Sequence, residues 1–84
     1  MKKILFIEDD HSLGTTLFQR LSKNYLILWR QTFQDGWAAF LENKDIDIVI
    51  LDVGLPDGNG FQLAQKIKIE RKVPFIFLTA QSDA

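Results

Sequence analysis

Short apolar runs alternate with amphipathic stretches along this 84-residue chain, and the alternation restricts its fold more than any other feature. A nearly continuous apolar run is typical of a strand buried on both faces. Apolar residues three or four positions apart form one stripe on a helix. We predict strands at residues 3–7, 25–29, 45–52 and 73–78, and helices at residues 11–23, at 34–42 and around 63–67.

This order of elements predicts an α/β fold with one parallel sheet, because each of the first three strands is followed by a helix that can return the chain to the same edge. The length is sufficient for one small domain. Residues 55–60 contain a proline, which presets one backbone angle, and two glycines, which permit positive φ, so we expect a turn there. Ligands of such sheets bind beyond the C-terminal ends of the strands.

The composition argues against several classes of site and partner. The chain has no cysteine and one histidine, so disulfides, thiolate metal sites and imidazole zinc sites are not expected. A net charge of −1 provides no general attraction to nucleic acid, and we expect no direct contact with it. Three acids interrupt the first apolar run, which neither a signal peptide nor a membrane span accommodates. We therefore expect a cytoplasmic protein that does not bind membranes.

Acidic and hydroxyl side chains stand at the ends of three predicted strands. The first strand runs into Glu8, Asp9 and Asp10, the third ends at Asp52, and the fourth runs into Thr79. Parallel strands bring these ends to one edge of the sheet, so the carboxylates are expected to converge and to repel one another unless a cation is present. Mg²⁺ suits such oxygen ligands. A carboxylate in this position can also attack phosphorus and form an aspartyl phosphate.

Three segments resemble, in matching order, the receiver domains of bacterial two-component response regulators. They are residues 7–10 (IEDD), 51–60 (LDVGLPDGNG) and 74–80 (PFIFLTA). The resemblance covers essentially the whole chain, and the acidic pair and loop are most similar to regulators with a C-terminal winged-helix DNA-binding domain. It implies a flavodoxin-like, doubly wound parallel sheet with strand order 2-1-3-4.

The resemblance also implies roles for individual residues around a metal ion. Asp52 matches the phosphoacceptor, which receives a phosphoryl group from a sensor histidine kinase. Glu8 and Asp9 match the acidic pair that binds Mg²⁺, with Asp9 as the direct ligand and Glu8 acting through water. Asp52 and the backbone carbonyl of Gly54 match the remaining protein ligands of the same ion.

Two further residues match the part of the family's site that senses the phosphoryl group. Thr79 matches the switch hydroxyl that turns toward it, and the backbone amide of Ala80 stands where a phosphoryl oxygen is usually bound. The implied function is that of a phosphoacceptor domain, regulatory rather than enzymatic, which switches a transcriptional output carried elsewhere in the full-length protein.

The chain departs from the family pattern in two respects. It stops before the fourth helix, the fifth strand with its lysine and the fifth helix, so we expect residues 1–84 to be an incomplete receiver domain of three strand–helix units and a fourth strand. In addition, Val53 and Gly54 replace a bulkier pair that often follows the acceptor aspartate. From this we predict a more open path for water to an acyl phosphate at Asp52.

Other interpretations fit the same residues less well. Each acid taken alone also fits a helix N-terminus, and Asp10 is expected to have that role. Phosphatases of the haloacid-dehalogenase type use a strand-end aspartate, but they need a second aspartate where this chain has Gly54. A dinucleotide site needs a glycine-rich turn after the first strand, where this chain has acids.

An interaction function is the remaining alternative. Without a fifth strand, the apolar strand at residues 75–78 would form an exposed sheet edge, and such edges favour pairing with another chain or domain swapping. The alternative hypothesis is therefore a non-switching fragment that self-associates through Phe75 to Leu78.

Overall fold

A parallel sheet carrying three helices is the framework of the computed structural model, which describes residues 1–78. In chain order the elements are β1 (Lys3–Ile7), α1 (His11–Leu21), β2 (Leu26–Arg30), α2 (Phe33–Glu42), β3 (Ile48–Asp52), β4 (Gly54–Leu55), β5 (Gly58–Asn59), α3 (Gly60–Glu70) and β6 (Phe75–Leu78). Across residues 1–78, none of the helices combines the length and the hydrophobicity required to traverse a bilayer.

The main sheet has the order β2-β1-β3-β6, and all of its neighbouring strands are parallel. Since β6 is the fourth strand of this sheet in the sequence, the observed order confirms the predicted order 2-1-3-4. The central strand β1 is buried from Ile4 to Ile7, as the continuous apolar run predicted. The α/β architecture with parallel strands is therefore confirmed.

The two faces of the sheet bury different residues because side chains alternate along each strand. Leu5, Ile7 and Leu51 belong to one core cluster together with Phe40 of α2 and Leu63 of α3. Each of these five side chains is fully buried, which contributes roughly 1.5–3 kcal/mol apiece. The cluster fixes α2 and α3 against one face of the sheet, and the C-terminal ends of β1 and β3 lie at the edge of that face.

Helix α1 packs on the opposite face, and its first residue is set by a side-chain cap. Asp10 is the N-cap, and its carboxylate accepts a hydrogen bond of 3.1 Å from the amide of Leu13, which confirms the role predicted for it. The helix ends at Leu21, two residues earlier than predicted. The amide of Tyr25 bonds to the carbonyl of Leu21 at 2.9 Å and turns the chain toward β2.

The loop after β3 contains the turn that the sequence predicts, and two short strands as well. The turn falls at residues 56 and 57, and strands β4 and β5 on either side of it form a short antiparallel hairpin. No glycine among residues 1–78 has a positive φ, so the loop does not use the backbone freedom that its glycines permit. Gly60 is required for a different reason: a Cβ there would overlap the backbone oxygen of Asp52, and the Gly60 amide bonds to the Val53 carbonyl at 2.7 Å. The glycine allows the loop to fold closely over the end of β3.

Candidate metal and phosphoacceptor site

Three carboxylates meet at the C-terminal edge of the two central strands. Glu8 directly follows β1, Asp9 comes next, and Asp52 is the last residue of β3. The pairing of Ile7 with Leu51 brings these strand ends side by side. One carboxylate oxygen from each residue lies within 4.8 Å of the others. The structure thus brings together the three acids that the sequence had placed at one edge.

Glu8 is the most constrained member of the cluster. Its side chain is buried, with 2% exposed, and its Oε2 accepts a hydrogen bond of 3.0 Å from the amide of Asp10. Its own amide donates to the carbonyl of Arg30 at 3.0 Å. Asp9 is exposed and Asp52 is half-buried, so the cluster opens to solvent on the side of Asp9.

Burial and mutual repulsion disfavour the charged forms of two of these acids. Desolvation raises the pKa of Glu8, and the negative charges of Asp52 and Asp9 raise it further, while the Asp10 amide acts in the opposite direction. Desolvation likewise raises the pKa of Asp52, with a smaller contribution from Asp9, against the neighbouring amides of Gly54 and Val53. Burial is thus the main cause of both pKa shifts, and the neighbouring negative charges add to it.

No basic side chain offsets this charge within residues 1–78. The ion pair of that region joins Lys3 and Asp45 at 2.9 Å, and both residues lie near the N-terminal ends of their strands. A set of three carboxylates without nitrogen or sulfur ligands fits a hard divalent cation such as Mg²⁺. Gly54, the predicted carbonyl ligand, is exposed and begins β4, two residues after Asp52.

Two other predicted site residues, Thr79 and Ala80, lie outside the described residues. His11, to which the sequence assigned no function, is exposed at the first position of α1. Asp57 has a role that the sequence did not indicate, since it was interpreted only as part of a turn. Its carboxylate accepts hydrogen bonds from the amides of Phe33 and Gln34 at 2.7 and 3.1 Å. Asp57 thereby fastens the loop after Asp52 to the start of α2.

Trp29 is a second residue whose contact with the site the sequence did not indicate. Its Nε1 donates a hydrogen bond of 3.0 Å to the backbone carbonyl of Glu8. The signal that could have found it is Gly14, since a glycine inside a helical pattern usually has a packing reason. A Cβ at Gly14 would overlap the Trp29 ring.

Comparison with known proteins identifies the family that the chain resembles. A family profile described as "Response regulator receiver domain" matches residues 4–84. The chain is 39% identical over 82 residues to the transcriptional regulatory protein RprY of Bacteroides fragilis, covering 95% of this chain and 34% of that protein. It is 36% identical over 84 residues to the response regulator ArlR of Staphylococcus aureus, covering 99% of this chain and 38% of that protein. The chain therefore spans about a third of the length of these curated relatives.

Solved structures of receiver domains have the same fold as this chain. The non-phosphorylated HemR receiver domain from Leptospira biflexa superposes with a TM-score of 0.83 at 46% identity, covering all of this chain and 68% of that one. The BeF3-activated receiver domain of RstA from Klebsiella pneumoniae has a TM-score of 0.88 at 26% identity, covering 98% of this chain and 70% of that one. On both sequence and structure, the chain belongs to the response regulator receiver domain family of two-component systems.

Proposed function

We propose that this chain is the phosphoacceptor segment of a two-component response regulator and that Asp52 takes a phosphoryl group from a sensor histidine kinase. The observation that carries the proposal is the meeting of Glu8, Asp9 and Asp52 at one edge of a parallel sheet. In the full-length protein, phosphorylation would switch a transcriptional output carried on another part of the chain. The role is regulatory rather than enzymatic, in the cytoplasm and without contact to nucleic acid or membrane by this segment.

The proposed reaction is a transfer between two side chains. A carboxylate oxygen of Asp52 attacks phosphorus on the kinase's phosphohistidine, whose other ring nitrogen carries a proton; a P–O bond forms as the P–N bond breaks, and neutral imidazole leaves with that proton. Asp52 suits this role because it is half-buried at the open edge of the sheet. Thr79 would hold a phosphoryl oxygen through its hydroxyl and Ala80 through its backbone amide.

Mg²⁺ is the cofactor that the donor set fits. Glu8, Asp9, Asp52 and the backbone carbonyl of Gly54 would hold it, and when bound it neutralises the negative charge that carboxylates and phosphoryl oxygens bring together. The protein's part is to keep these ligands in place before the phosphoryl group arrives. Glu8 meets this need because the backbone amides and carbonyls around it are hydrogen-bonded.

A small acyl-phosphate donor tests the proposal without the kinase. In the presence of Mg²⁺ the protein should gain one phosphate by intact mass, and Asp52→Asn should gain none. Asp35→Asn is the matched control, because it removes an exposed aspartate in the first turn of α2 and should leave the gain intact. A phosphate retained in Asp52→Asn would show that the acceptor has been misassigned.

Self-association is a second candidate function, favoured by one observation. Within residues 1–78, β6 lies at the edge of the sheet, and Ile76 on it is 49% exposed. An apolar edge strand of this kind can pair with a second copy. Ile76→Lys should then lower the association measured by sedimentation, whereas Ile69→Lys, at an 84% exposed position on α3, should not. A wild-type monomer at all concentrations would exclude this function.

A further inference from the structure

Trp29 reaches the acidic cluster from the neighbouring strand β2. Its Nε1 donates to the carbonyl of Glu8 at 3.0 Å, and the carbonyl of the next residue, Arg30, accepts from the Glu8 amide at 3.0 Å. Both backbone groups of Glu8 are therefore held by two consecutive residues of β2. One of these bonds is an ordinary backbone bond of a parallel pair. The other is available only because residue 29 has an indole N–H.

The position of the indole ring is itself restricted by its neighbours. The ring stacks on Phe6 at 6.1 Å between centroids and tilts against Phe18 of α1 at the same separation. On the α1 side it lies so close to Gly14 that a Cβ there would overlap its Cζ2 atom. A ring confined in this way presents its N–H in one direction, toward Glu8.

The restraint at Glu8 continues into the start of α1. The Glu8 side chain accepts from the Asp10 amide at 3.0 Å, and the Asp10 carboxylate accepts from the Leu13 amide at 3.1 Å. The segment that carries Glu8 and Asp9 is thus one hydrogen-bonded unit, and Trp29 holds its first residue. Like charges within 4.8 Å would otherwise favour movement of this segment away from Asp52.

We infer that Trp29 is a positioning residue for the divalent-cation site, since it holds the backbone of Glu8 so that the carboxylates of Glu8 and Asp9 face Asp52. The inference rests on the proposed function, because it assigns Trp29 to the same site. Groups that orient metal ligands raise metal affinity by reducing the rearrangement that binding requires. Trp29 would act from the backbone side and without contact to the ion.

The test compares the Mg²⁺ dissociation constant of the full chain and three variants by calorimetric titration. Trp29→Phe removes the N–H donor and keeps an aromatic ring, and it should weaken Mg²⁺ binding roughly fivefold, the change that one hydrogen bond supports. Trp37→Phe changes the tryptophan that packs on Phe40 and lies under Lys66. Ile67→Val truncates a fully buried side chain. Both controls should bind Mg²⁺ within about twofold of the wild type.

A spectroscopic measurement on folded protein supports the same test. The protein has two tryptophans and therefore two indole ¹⁵N–¹H signals. Each Trp→Phe variant lacks the signal of the residue it replaces. In Trp37→Phe, the signal that remains therefore belongs to Trp29. On Mg²⁺ titration the Trp29 signal should shift with the calorimetric dissociation constant, and the Trp37 signal should stay in place. This readout needs no folded Trp29→Phe, and it shows whether Mg²⁺ binding changes the environment of the indole N–H.

The outcomes separate the inference from the proposed function. If the wild type binds Mg²⁺ and Trp29→Phe binds it within twofold, the inference is wrong and the metal site stands. Equal weakening by Trp29→Phe and Ile67→Val would also overturn it, since the effect would then follow general destabilisation. A Trp29 signal that does not respond to bound Mg²⁺ has the same consequence. If the wild type binds no Mg²⁺, the proposed metal site fails and the inference fails with it.

Discussion

Gly54 leaves open space beside the proposed phosphoacceptor. It is exposed, two residues after Asp52, and a Cβ built on it would meet no atom within 4 Å. Its φ lies outside the left-handed region, so a larger residue fits without backbone strain. This open space fits the prediction, made from the sequence, that water has an open path to an acyl phosphate at Asp52.

Gly54→Met should lengthen the lifetime of the aspartyl phosphate by about threefold or more, because the side chain covers a path by which water reaches the acyl phosphate. The lifetime is measured by following loss of the phosphorylated mass after removal of the donor. Gly54→Ala adds only one carbon and should give an intermediate lifetime. An unchanged lifetime in Gly54→Met would refute the water-access argument.

At this scale the sequence predicted some contacts and could not predict others. The meeting of Glu8, Asp9 and Asp52 followed from strand ends in a parallel sheet, which is a property of topology. The hydrogen bonds of Trp29 and Asp57 join residues 21 and 24 positions apart and depend on side-chain directions. No local pattern specifies such directions, so the sequence indicated neither contact.

Helix α2 is stabilised at both ends by residues that flank α3. Asp57, before α3, accepts from the first amides of α2. Arg71, after α3, donates from one guanidinium nitrogen to the carbonyls of Phe40 and Asn43, each at 3.0 Å, and stacks 3.9 Å from the Phe40 ring. An acid at the N-terminus and a base at the C-terminus both complement the helix dipole. Arg71 therefore packs against the C-terminal end of α2.

Asp57→Asn should make the free energy of unfolding less dependent on pH in the acid range. The Phe33 amide, and more weakly the Gln34 amide, lower the pKa of Asp57 below its ordinary 3.8. A lowered pKa contributes stability above that value and loses it as the pH falls through the folded-state pKa. In urea denaturation, the wild type should exceed Asp57→Asn at pH 7, and the gap should close below about pH 3.8. A gap that stays constant with pH would contradict this cap.

The approach of α1 to β2 depends on the pair formed by Gly14 and Trp29. Gly14→Ala places a methyl group against the ring and should destabilise the protein by roughly 1–3 kcal/mol, the usual effect of overpacking. Adding Trp29→Phe should relieve the overlap, so the double variant should be more stable than the sum of the single effects predicts. Gln19→Ala, at an exposed position on the same helix, is the control. Strict additivity in denaturant unfolding would show that the two residues do not interact.

At the scale of the whole molecule, the hydrophobic pattern was sufficient for the sheet order and insufficient for the loops. It predicted four strands and three helices because continuous runs and helical stripes record which faces are buried. It missed β4 and β5, which have two residues each and bury only Leu55. Pairs this short are fixed by neighbouring contacts, such as the approach of Gly60 to the end of β3, and have no period of their own.

The charge cluster couples the site to the stability of the entire chain. Because the pKa values of Glu8 and Asp52 are raised, the folded state disfavours their charged forms. Without a divalent cation, stability should therefore rise as the pH falls through these folded-state pKa values toward the ordinary ones. Asp52→Asn should have the same effect at pH 7, since it removes one of the repelling charges and adds about 1 kcal/mol to the free energy of unfolding.

Mg²⁺ should make the wild type more stable than Asp52→Asn, the reverse of the order expected without a divalent cation. At ten times its dissociation constant, an ion that binds only the folded state adds about 1.4 kcal/mol to the wild type. Asp52→Asn has lost a ligand and should gain far less. Urea unfolding at pH 7, once in chelator and once in Mg²⁺, measures the free energy of unfolding of each protein. The control Asp35→Asn should have the stability of the wild type under both conditions. If Asp52→Asn were less stable than the wild type in chelator, repulsion among the three carboxylates would not be the dominant force at this edge of the sheet.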